Sequence, residues 1–205
     1  MKIITRLLLL ILICTGCSSS KIIPSLWQSQ EFKTQTFDRI LVYASTEDKE
    51  LQRRFENKMA KLFAEKDITA LKMNALFPEI EYKENHTQDE INEFVTRCKS
   101  KNIDKVLLAS QKSKNIDTVN AKTLHNYMNS LEPLNLTSQR KDENDLTYDK
   151  KVIITYNIEA AVYDLSISSE DRPIASTALK ATNPKSLNQL EDHFLNAIKK
   201  LFKDK

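Results

Sequence analysis

Glycine is all but missing from this chain of 205 residues: the only one is Gly16, so nothing after it has any. Phosphate-cradling loops, dinucleotide-binding turns and strained nucleophile elbows need glycine where the backbone takes φ > 0 or approaches a ligand closely. None can be built here in its usual form. Left-handed positions must fall to Asn and Asp, which tolerate them best after glycine. Histidine is almost as scarce. His86, His125 and His193 stand apart, with no His or Cys neighbour at ligand spacing, so neither metal nor cofactor is expected. No Ser, His and Asp are singled out as a catalytic set, and the chain reads as a non-enzyme. Charge of one sign is lacking too. A formal net charge of +3 makes no electrostatic case for nucleic acid as a partner.

What is present begins at the first residues, MKIITRLLLLILICTGCSSS. Lys2 and Arg6 make a positive start, and Leu7 to Ile13 form an unbroken apolar run. The run suits the apolar stretch of a secretory signal and falls far short of the ~20 residues that span a bilayer. It ends in Cys14-Thr15-Gly16-Cys17, with Cys14 where Leu, Val or Ile is usual. This resembles the lipobox of bacterial lipoproteins, in which the thiol is diacylated, the leader is cut before the cysteine, and the new amine is acylated. The resemblance implies a signal peptide over 1–16 and palmitate-type acyl chains on Cys17. One chain holds a protein to a membrane only marginally, at about 0.8 kcal/mol per buried CH₂; two or three hold it for good. Ser18, with no Asp there, implies the outer membrane, and the absence of an acidic cluster favours a domain facing the periplasm.

Losing Lys2 and Arg6 with the leader takes the net charge from +3 to +1. Cys14 departs and Cys17 is lipidated, which leaves Cys98 without a disulfide partner. Residues 17–36 read as a lipidated tether, polar with scattered apolar residues and Pro24. It would hold the domain well clear of the membrane. Trp27, the sole tryptophan, lies in it and has three readings: packing on the domain, touching lipid headgroups, or meeting a partner.

Residues 37–205 read as a single α/β (α+β) domain. FDRILVYAS (37–45) is a strand. Thr46 then opens a helix to about Lys66, with Leu51, Phe55, Met59, Leu62 and Phe63 at helical spacing. DITALKM (67–73) is a second strand. Thr87 and Glu90 have the capping-box pattern before Ile91, Phe94, Val95 and Cys98, which puts Cys98 on a buried face as a structural thiol. Asn102 is the left-handed residue after that helix, and IDKVLLAS (103–110) is a third strand. Residues 111–150 form a polar insertion with a short helix around Leu124, Tyr127, Met128 and Leu131. Lys151 to Ser166 and Ile174 to Ala181 are antiparallel strands joined by a turn at Ser168 to Asp171, and Ser186 caps a last amphipathic helix. The order is β-α-β-α-β, the insertion, then β-β-α: a mixed sheet of about five strands packed by three amphipathic helices.

With the lipobox, the PSLWQS segment and the FDRILVYAS and IDKVLLAS strands, this order resembles uncharacterised bacterial envelope lipoproteins. Their α/β domain is similar to the N-terminal domain of TolB and to LpoB and CsgG. The resemblance implies a membrane-anchored module that makes protein contacts in envelope assembly, with an envelope protein as partner and no cofactor. The alternative is a periplasmic domain that holds a small ligand or peptide beside the sheet.

Overall fold

The computed structural model of the protein describes residues 20–121, 149–167 and 172–205. Six strands form one mixed sheet: β1 (Lys21–Gln28), β2 (Arg39–Ser45), β3 (Thr69–Lys72), β4 (Lys105–Ala121), β5 (Asp149–Asp164) and β6 (Ala175–Thr182). Their order across the sheet is β1-β6-β5-β4-β2-β3. Five helices occur among the described residues: α1 (Gln30–Thr34), α2 (Lys49–Ala64), α3 (Met73–Leu76), α4 (Gln88–Ser100) and α5 (Leu187–Leu201). β2 runs parallel to β3 and β4, each joined to the next through helix, and the remaining pairs are antiparallel.

The three long helices follow from apolar spacing and from their caps. Asp48, rather than Thr46, starts α2: its Oδ1 accepts the backbone N–H groups of Glu50 and Leu51, both at 2.9 Å. Thr87 and Glu90 form the reciprocal capping box of α4, and Ser186 Oγ accepts from Gln189 N at 3.1 Å to open α5. With no glycine to use, α2 and α4 end on Asp67 (φ 58°) and Asn102 (φ 54°). In each case the following residue donates back into the last turn, Ile68 N to Phe63 O and Ile103 N to Cys98 O, both 3.0 Å. The third left-handed residue is Asn183 (φ 45°), where β6 ends.

The sheet is covered unequally. On one face α2 and α5 bury a core that runs from Ile40 and Val42 through Leu107 and Val162 to Ile198. On the other face a smaller cluster gathers Leu41, Met73, Phe77, Cys98, Ile103 and Val106. Only Cys98 of α4 is buried, so that helix seats by its C-terminal half. A buried ion pair ties strand ends together. Asp164 Oδ2 meets Lys105 Nζ at 2.9 Å and accepts from Gln35 Nε2 at 2.9 Å, while Oδ1 accepts from Ser166 N at 2.9 Å. Burial pushes the Asp164 carboxyl up, but the bonds from Ser166, Lys105 and Gln35 outweigh it and hold it at about 2.

Two expectations need correction. Residues 21–36 are not a tether. Lys21 to Gln28 pair residue for residue with Thr182 to Ala175, which makes β1 an edge strand, where Pro24 is tolerated. Ser29 then caps α1, and Phe32 is fully buried against Phe37 and Phe202, at ring centroid distances of 5.0 and 5.4 Å. Backbone pairing and one ring outweigh the polar composition. The polar insertion is also shorter than 111–150. β4 runs on to Ala121 against Asp149, past a register shift between Gln111 and Ser113. The helix expected around Leu124 and the turn expected at Ser168 to Asp171 lie outside the described residues, as does Cys17.

Candidate functional site

Three places could carry function. The first is the edge formed by β1. It pairs with β6 alone among the described residues, so its other side offers backbone groups to a partner. Ile23, Leu26 and Trp27 are 45, 50 and 51% exposed along it. Trp27 sits opposite Ser176, six residues from Lys21, so it lies at the end of β1 away from residue 17. Gln28 fixes that end to the last helix through its Nε2, which donates to Leu201 O at 2.8 Å. An ordered strand end carrying an exposed indole is a rigid amphipathic contact of the kind enriched in binding hot spots.

The second place is an open cleft of about 1040 Å³ between α4 and the sheet. It exists because α4 packs by one half only. Its walls include Met73, Ile80, Phe94, Val106 and Leu108. Its rim is charged, with Lys83 paired to Glu90 and Arg97 paired to Glu79. Its size reaches the upper end of small-molecule sites, about 300–1,000 Å³.

The third is a buried carboxylate, Glu56, at the carboxyl ends of the parallel strands, where α/β sheets commonly bind ligands. Its Oε1 accepts from Gln52 Nε2 at 3.0 Å and from Ala44 N at 3.5 Å, and its Oε2 accepts from Asn74 N at 3.0 Å. Burial pushes its pKa up, against the pull of those bonds and of Lys72. Both oxygens are spent on protein donors. Glu56 therefore clamps α2 to the end of β2 and the start of α3.

The titratable groups named in the sequence are not brought together. His86 Nδ1 lies 3.8 Å from Glu90 on the exposed start of α4, His193 is on α5, and His125 falls outside the described residues. No group of three or more His, Cys, Asp or Glu among the described residues could hold a metal. Cys98 is fully buried, and burial pushes its thiol up to about 11, against a small opposing effect of Arg97. A thiol so held is not a nucleophile at neutral pH. No described helix is long and apolar enough to cross a membrane. The exposure of β1 was hidden in the sequence because its apolar residues fall in adjacent pairs, Ile22-Ile23 and Leu26-Trp27, and do not alternate. Ser29 at helix-capping distance before a lone Phe32 was the available signal.

No family model matches the chain, and no curated protein matches it. Among solved structures, the PelC dodecamer from Paraburkholderia phytofirmans is 11% identical, covers 88% of this chain and 94% of its own, and gives a TM-score of 0.44. Lipoprotein GNA1162 from Neisseria meningitidis is 12% identical, covers 82% of this chain and 99% of its own, and gives 0.39.

Proposed function

We propose that this protein is a bacterial lipoprotein, acylated on Cys17 and held on the periplasmic side of the outer membrane, that binds another envelope protein without catalysis. The anchor rests on the leader: positive residues, the apolar run, small residues, Cys17 and three serines fall in register. The observation that carries the binding role is the outer edge of β1, unpaired among the described residues, with Ile23, Leu26 and Trp27 about half exposed on an otherwise ordered strand. Main-chain groups of such an edge accept an added strand, and its side chains supply selectivity. A photo-crosslinking residue in place of Trp27, in native envelopes, should give one discrete adduct that Ile23→Ser, on the same face of β1, weakens. Capture of the same proteins from Trp27 and from an exposed control such as Lys61 would refute the binding surface.

A second reading has its own support. The cleft beside α4 is roomy enough for a peptide or a small molecule, with apolar walls under a charged rim. Native mass spectrometry of protein extracted from envelopes distinguishes the two. A bound mass lost in Leu108→Trp would favour the cleft, and a bare chain that still crosslinks through Trp27 would favour the edge.

A further inference from the structure

We infer that the two-stranded arm formed by the far ends of β4 and β5 rests on the lipid surface that holds Cys17. This rests on the acylation of Cys17 proposed above. The register sets the geometry. Lys21 is level with Thr182, Thr182 with Thr155, and Thr155 with Asn115. Beyond that level no other described strand continues, yet Ile116 to Ala121 stay paired with Ile154 to Asp149 for six more residues. At about 3.4 Å per residue the arm projects about 20 Å. The two steps from β1 to β5 each twist the sheet by about 20–25°, which leaves about 14 Å along the direction of β1. From Cys17 to Lys21 there are four residue steps, about 14 Å at full extension. Any linker short of full extension therefore brings the arm to the lipidated cysteine or past it. The arm lies at the end of the sheet where β1 begins at Lys21, four residues after Cys17.

The arm's chemistry suits that position. Pairing puts Lys114 with Tyr156, Ile116 with Ile154, and Thr118 with Val152 on the face that α5 also occupies. Ile116 and Val152 are 61 and 53% exposed, with exposed Lys114 and Lys150 at either end of the row. At its base lies a hollow of about 300 Å³ lined by Ile154, Tyr156, Pro184 and Leu187, the last 67% exposed. Apolar side chains between lysines match a boundary between acyl chains and anionic headgroups. Among the described residues no third strand flanks this part of the ribbon, and a two-stranded ribbon by itself is at best marginally stable in water, so a surface that takes its apolar side would add to its stability.

The test moves the single tryptophan. In a Trp27→Phe background, Val152→Trp and, separately, Leu187→Trp are prepared as the native acylated full chain. They are bound to vesicles of phosphatidylethanolamine and phosphatidylglycerol that carry a lipid with a headgroup-level spin label. Far-UV circular dichroism checks each fold, and flotation with the intact mass checks the anchor. Both variants should lose most of their emission to the spin label, while Trp27 in the unaltered chain keeps nearly all of its own. Acylated, floating protein whose arm tryptophans are quenched no more than Trp27 would overturn the inference and leave the lipoprotein reading standing. Unacylated protein that does not float would take down both. Arm emission that shifts with protein concentration before lipid is added would seat a second copy there, and overturn the inference in favour of self-association.

Discussion

Truncating Phe32 to alanine separates an ordered β1–α1 unit from a flexible tether by a wide margin. Phe32 is fully buried, its ring centroid is 5.0 Å from that of Phe37 and 5.4 Å from that of Phe202, and the Lys205 ammonium lies 5.1 Å over it. Removing such a ring loses its transfer free energy and leaves a cavity, together about 3–5 kcal/mol. For a chain this size that lowers the melting temperature by on the order of 10 °C. A residue on a tether would change stability by no more than about 0.5 kcal/mol. Urea unfolding followed by far-UV circular dichroism and by Trp27 emission gives the answer, because Trp27 lies on the strand that Phe32 anchors. In the unaltered chain the two signals should move together. In Phe32→Ala the midpoint should fall, with Trp27 responding at or before the far-UV change as β1 loosens. An unchanged midpoint, with Trp27 already in a fully solvated environment before urea is added, would refute the docking of this segment.

Other substitutions test the polar interior and the helix ends. Lys105→Met strands the buried Asp164 carboxylate and should cost about 3 kcal/mol, with the double variant Lys105→Met/Asp164→Asn losing less than the two single costs together in urea titrations. Asp164 is held at about 2 against an ordinary 3.8, so its contribution, at most about 2 kcal/mol, is present above 3.8 and is lost as pH falls toward 2; Asp164→Asn should flatten that acid limb. Glu56 has the opposite sign: its pKa is raised above 4.5, so its contribution is full below 4.5 and is lost as pH rises through the raised value. Glu56→Gln should remove that limb and cost about 1–3 kcal/mol by leaving one of the Ala44 and Asn74 N–H groups unpaired, which the same titrations measure. Asn102→Ala, at φ 54°, should cost about 1 kcal/mol in thermal unfolding, and Asn102→Gly should cost less.

The parts of the fold that bury apolar side chains at regular spacing were legible in the sequence. Leu51, Phe55, Met59 and Phe63 mark α2, and Thr87 with Glu90 marks the start of α4. The lack of glycine pointed to Asn and Asp at left-handed positions, where Asp67, Asn102 and Asn183 stand. Where strands are wet on both faces, composition gave no signal. Gln111 to Asn120 carries only Ile116 and Val119 among polar neighbours, and its order comes from a backbone ladder with β5 that no side-chain pattern reports. β1 was obscured in the same way, and with it the candidate binding edge. Its exposed Ile23, Leu26 and Trp27 look like scattered apolar residues until the pairing with β6 sets Ile23 and Trp27 on one face of the edge and Leu26 on the other. The cleft beside α4 was not legible either, since it arises from how far that helix stands off the sheet.

The anchor bears most directly on the whole account. Mass spectrometry of the amino-terminal peptide of the native protein should find residues 1–16 gone, with a diacylglyceryl group on the Cys17 sulfur and an acyl chain on its amine. An intact leader, or a free thiol on Cys17 at the new amino terminus, would contradict it.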